Sequence, residues 1–149
     1  MYIIENVTDG YAHCINEQDF KKLYCVYEIK GSDEHRIKGE VKQKIFCIET
    51  EETIAGFPDV MELISYREHS VAKFYEFKIS DKSGNIKFQP TQPAFFKSNS
   101  ELYIRVVAYN RASKRVHRFS PSEIFDKESP YYTTTGRINL SSVEKEVGV

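Results

Sequence analysis

Apolar residues along this chain recur mostly at every second position, the period at which strand side chains return to the same face. Residues 23–29 and 41–48 are short runs rich in β-branched and aromatic side chains, bounded by polar clusters, and predict two strands. Between them Gly31, Ser32 and Asp33 supply turn residues, and Gly39 adds a second flexible point, so a hairpin over 22–48 is expected. Phe74 to Ile79 alternates, Asp81 to Asn85 offers a tight turn with Gly84 at the position needing positive φ, and Ile86 to Phe88 resumes the alternation. That pattern predicts the clearest hairpin of the chain. Pro90 and Pro93 lack the N–H that a ladder requires, so residues 89–94 mark a crossover or an edge where the chain changes sheets. In the next strand Leu102, Ile104, Val106 and Ala108 share the face expected in the core, opposite Tyr103, Arg105, Val107 and Tyr109.

Helical patterning is sparse. Residues 59–69 follow Pro58 and set Val60, Leu63 and Ile64 on one helical face, with Asp59 and Glu62 where a helix dipole favours acids; the stretch reads as one short helix or as another strand. Residues 16–23 have room for a turn or two of helix. Ser141 and Glu144 have capping-box spacing, but little chain remains beyond them for a helix. The organisation expected is one β-rich domain over 1–125 and an extended C-terminal segment over 126–149, free to move or to be docked by a partner.

Tyr75, Phe77 and Ile79, the Asp81–Gly84 turn, then Ile104, Val106, Ala108 and Asn110, and finally Ser120 to Glu123 follow one another in a particular order. In this order residues 74–125, about a third of the chain, resemble the second half of a fibronectin type III domain. The resemblance implies a mainly β fold, an antiparallel β-sandwich of the fibronectin III or immunoglobulin-like kind, with recognition carried by loops at the ends of its sheets. Two positions depart from the family: Leu102 stands where its corner tyrosine is usual, with Tyr103 one residue off, and the chain contains no Trp.

Composition narrows the classes. At 149 residues, with 40% hydrophobic residues, ten Tyr and ten Phe, the chain can bury a core without disulfides or a metal. Twenty-one Lys and Arg balance 22 Asp and Glu, which excludes a global field for gathering nucleic acid or anionic lipid. Cys14, Cys25 and Cys47 are odd in number and form no CxxC pair, the pattern of reduced thiols packed as small hydrophobes. The start has no basic n-region or apolar h-region, and nowhere do 18 apolar residues run together, so a cytoplasmic protein with no membrane partner is expected, a virion being the other compatible location. The lean toward Lys, Ile and Asn suits an accessory protein of a phage or mobile element and equally a low-GC bacterium.

Candidate chemistry is local. His13, His35, His69 and His117 are dispersed without zinc spacing, and adjacent His13 and Cys14 would point to opposite faces of a strand, so neither metal nor cofactor is expected. No Gly-x-Ser-x-Gly, catalytic-cysteine or phosphate-loop pattern nominates a catalytic residue, and Glu49, Glu51 and Glu52 read as a solvated run. A noncatalytic protein is therefore expected. Arg111, Lys114, Arg115, His117 and Arg118 lie close together without an intervening acid, and Arg105 and Tyr109 are expected on the outward face of the strand leading in. If that hairpin forms, these residues gather at one end of a sheet. They could then bind the acidic patch of a protein partner or, as the alternative, nucleic-acid phosphates with Tyr or Phe rings stacked on bases. A third reading is a solvated basic turn that guards a strand edge.

Overall fold

A computed structural model describes residues 10–14, 16–23, 32–37, 41–47, 60–66 and 69–148. Seven strands form one sheet: β1 (Gly10–Cys14), β2 (Ser32–Ile37), β3 (Val41–Cys47), β4 (Val60–Tyr66), β5 (His69–Ile79), β7 (Tyr103–Asn110) and β8 (Arg115–Phe119), in the order β1-β8-β7-β5-β4-β3-β2. A second, two-stranded sheet pairs β6 (Asn85–Lys87) with β9 (Arg137–Asn139). Among the described residues, three short helices, α1 (Glu17–Leu23), α2 (Gln92–Ser98) and α3 (Leu140–Glu146), and a 3-10 helix at Pro121–Ile124 accompany the strands in a mainly β fold.

The centre of the large sheet is set by β7, whose sequence YIRVVAYN is apolar on both sides. Ile104, Val106 and Ala108 face a cluster built from Ile86, Phe88, Phe96, Phe119, Ile124, Tyr131, Ile138, Leu140 and Val143. Val107 and Tyr109 are buried on the other face, where Phe20 of α1 lies 5.3 Å from the Tyr109 ring. A strand buried on both faces suits a parallel neighbour, and β7 runs parallel to β5, with Phe77 opposite Val107. Parallel neighbours need a long crossover, which here carries β6 and α2 across the first face.

Several expectations are corrected by this topology. The sequence around Asp81–Asn85 does turn, with Asp81 Oδ1 accepting from the Ser83 and Asn85 amides at 2.9 Å, but β6 leaves the large sheet and pairs with β9 instead of folding back on β5. Pairing is not antiparallel throughout, because β5 and β7 are parallel. Of the two readings open for residues 59–69, the structure shows the strand: 60–66 form β4, whose seven residues pair with β3 on one side and β5 on the other, and ladder formation on both edges overrides the weak helical period. The early hairpin joins β2 to β3, with Ile37 opposite Val41, so residues 32–35 are strand rather than turn. Leu23 closes α1, while the rest of the expected strand at 23–29 lies outside the described residues, as does the acidic run at 49–52. Over residues 126–149 the chain forms β9 and α3, and Tyr131, Ile138, Leu140 and Val143 sit in the core cluster. The cap of α3 is Asn139, whose side chain accepts from the Ser142 amide at 2.8 Å, and not Ser141.

Candidate functional site

The hairpin β7–β8 forms, closed by a loop in which Lys114 donates its amide to Asn110 O at 2.7 Å with φ at 62°. Its side chains, however, do not converge. Arg105 sits at the far end of β7, about 20 Å from Arg111 at the rise of an extended strand. There its guanidinium lies 4.4 Å from the Tyr103 ring centroid and donates to Ile104 O at 2.9 Å. Tyr109, expected outward, is 2% exposed because α1 covers that face. Arg111 is exposed and pairs with Glu17 of α1, Nη2 donating to Oε2 at 3.1 Å. Lys114 is exposed at the tip. Arg115 Nε lies 3.7 Å from Glu144. Arg118 is buried on the second face and donates to the Tyr103 hydroxyl at 2.8 Å.

His117 points the other way, into the first-face core, and anchors a buried polar network. Its Nε2 lies 2.8 Å from Glu144 Oε2 and its Nδ1 2.8 Å from the Tyr131 hydroxyl. The same carboxylate oxygen accepts from Asn110 Nδ2 at 2.6 Å and from Ser113 Oγ at 2.9 Å. Asn110 also donates to Ser141 Oγ and accepts from the Ala112 amide, so its amide group ties the hairpin tip to α3. Burial pushes His117 below its ordinary value, outweighing the favourable pull of Glu144. Burial alone would raise Glu144, but hydrogen bonds from Asn110, His117 and Ser113 hold it below the usual carboxylate range. A neutral imidazole beside a carboxylate fixes the protons: Nε2–H donates to Glu144, and the Tyr131 hydroxyl donates to Nδ1. A glutamate, a histidine and a phenol in series could relay a proton, but His117 has no exposed surface and both ring nitrogens are engaged. The network therefore acts as a clasp between β8 and α3.

Open concave surface lies elsewhere, around α2 and the 3-10 helix. One groove of about 490 Å³ runs between Phe96, Leu102, Arg105 and Pro121, and a second of about 560 Å³ between Pro90, Ile124, Tyr132 and Gly136. Lys97 and Phe125 line both, and the ammonium lies 5.8 Å from the ring centroid, so the pair forms the ridge between them. Among the described residues four large apolar side chains are exposed, and three of these, Leu102, Phe125 and Tyr132, line the grooves.

Sequence reasoning missed both the clasp and the grooves. The partners of His117 lie 14 and 27 residues away with no motif spacing. The alternation places Leu102 on the core face, but β7 begins one residue later and leaves it exposed. Phe125 closes an apolar run, and nothing in its local pattern shows that the 3-10 turn at Pro121–Ile124 leaves it outside. Among the described residues no group of His, Cys, Asp and Glu is placed to hold a metal, and no helix is long and apolar enough to cross a membrane. No protein-family model, curated protein or solved structure matches this chain.

Proposed function

We propose that the protein is a noncatalytic interaction module that binds a protein partner through the grooves flanking Phe125. The observation that carries this reading is the gathering of Leu102, Phe125 and Tyr132 along two adjoining grooves. Exposed apolar residues scattered singly are ordinary, whereas contiguous ones rimmed by polar groups mark interaction surfaces. The hairpin cations Arg111, Lys114 and Arg115 are a secondary contact for an acidic patch, weaker because Arg111 and Arg115 already face Glu17 and Glu144. Nucleic-acid binding gains no support from the placement of these side chains, and no retention of a fluorescent oligonucleotide at low salt is expected.

The β-sandwich reading and its fibronectin type III likeness belong to the same proposal. What favours a second layer is Ile86 and Ile138 of the small sheet packing over β7, while the parallel β5–β7 pair and the β6–β9 pair depart from the antiparallel order of that family. An accessory role in a phage or mobile element rests on composition, and the cytoplasmic or virion location on the lack of an 18-residue apolar run.

The test is affinity capture from the cells that make the protein, with wild type, Phe125→Asp and an Arg111→Ala, Lys114→Ala, Arg115→Ala triple variant side by side. A partner held by wild type and by the triple variant but lost from Phe125→Asp is the expected result. Retention of every partner by a folded Phe125→Asp variant would overturn the reading.

A further inference from the structure

One wall of the second groove is a single stretch of chain, Tyr132 to Gly136, and His117 holds what lies at both of its ends. At the near end Tyr131, the residue before the wall, stacks on Phe119 at 4.1 Å with its hydroxyl 2.8 Å from His117 Nδ1. Beyond the far end the chain passes through β9 directly into α3, whose Glu144 lies 2.8 Å from His117 Nε2. Between these ends the Thr133 amide donates to Ile124 O at 3.0 Å, and Gly136 O accepts from the Phe88 amide at 2.9 Å.

The arrangement is built for a neutral ring. A proton added at Nδ1 sets two donors, Nδ1–H and the Tyr131 hydroxyl, against each other, so the hydroxyl must turn away. It also adds a second cation to a carboxylate that already faces Arg115 Nε at 3.7 Å, where the imidazole has no exposed surface. Of the residues opposite His117 in the sheet register, Ala108 of β7 carries no charge and Tyr11 of β1 is a phenol, neutral at acidic pH. Glu144 is held below the usual carboxylate range and stays ionised in mild acid, so the imidazole is the group that titrates there. We propose that His117 is a proton-sensitive latch on the second groove: in mild acid it releases Tyr131 and α3 together, and the wall between them loses the shape that holds a partner. β7 keeps its ladders to β5 and β8, so the opening is confined to the C-terminal segment. This regulation rests on the interaction reading given above and adds what switches it.

The experiment has two arms, both on the full chain. Hydrogen exchange of wild type, corrected for the pH dependence of the chemical rate, is followed from about pH 7 to about pH 5. Opening of residues 131–148 is expected to rise by up to about tenfold per pH unit below the ordinary histidine value, with β7 unchanged and with a flat profile for His117→Gln. The second arm selects peptides without His, Asp or Glu from a displayed random library at about pH 7 and keeps those lost with a folded Phe125→Asp variant. Their affinity for wild type is expected to fall about threefold or more toward pH 5, and their affinity for His117→Gln to stay level. Exchange over 131–148 that does not quicken in acid, or quickens only in step with β7, would overturn the latch from the wild-type profile alone. Opening that follows pH while peptide affinity does not would also overturn it and leave the interaction reading intact. If no selected peptide depends on Phe125, the interaction reading falls and the regulation with it.

Discussion

His117 and Glu144 make the stability of the molecule respond to pH in one direction. The folded imidazole protonates below its ordinary 6.5 because burial disfavours the cation, so acidification charges the unfolded chain first and draws the equilibrium toward it. Glu144, held below its ordinary 4.5 by its hydrogen-bond donors despite burial, contributes stability above that value and loses it as pH falls through the lower folded one. Both groups therefore weaken the fold on acidification, His117 first and Glu144 after it. The urea midpoint is expected to fall from about pH 7 to about pH 5, and His117→Gln to flatten that part of the profile; a wild-type midpoint constant across it would contradict the assignment. Tyr131→Phe keeps the ring stacked on Phe119 at 4.1 Å but removes the hydroxyl that donates to Nδ1. A buried acceptor left unsatisfied costs about 1–3 kcal/mol, readable as a drop in ΔG of urea unfolding with unchanged slope.

At the scale of elements, the join between the β5–β6 turn, the β7–β8 tip and α3 decides whether the C-terminal residues belong to the core. Gly84 is the meeting point: its φ is +91°, its carbonyl accepts from the Leu140 amide at 2.7 Å, and a Cβ there would stand 2.9 Å from Asn110 Oδ1 and collide with Ser141. Gly84→Ala is therefore expected to cost about 2–4 kcal/mol, from backbone strain and overpacking together. Faster amide exchange in α3 than in β7 would show where the strain is released. A loss under about 0.5 kcal/mol would mean that the join is slack. The turn itself was legible from Asp81 to Asn85, as were β3, the face of β7 formed by Ile104, Val106 and Ala108, and the helical turns at α1. What the local pattern could not supply was pairing partners. Alternation at Ile86 to Phe88 is the same whether the strand folds back on β5 or crosses to β9, and β4 is fixed by neighbours on both edges rather than by its own period.

For the whole molecule, α1 covers Tyr109 on one face of β7–β8 while α2, the small sheet and α3 pack on the other, so charges that are neighbours in sequence are separated in space. Alternation sends His117 and Arg118 to opposite faces, and strand length parts Arg105 from Arg111. This is why a basic run readable in the sequence does not become one basic surface, while residues as distant as Lys97, Leu102, Phe125 and Tyr132 form a groove system that no local pattern shows. The central claim is that this groove system is where a partner binds. Hydrogen–deuterium exchange of the full chain with and without a captured partner or selected peptide tests it most directly. The expected result is slowed exchange over residues 96–102, 121–125 and 132–136, with the hairpin loop at 111–114 little changed. Protection confined to 111–118, with the grooves exchanging as in the free protein, would contradict it.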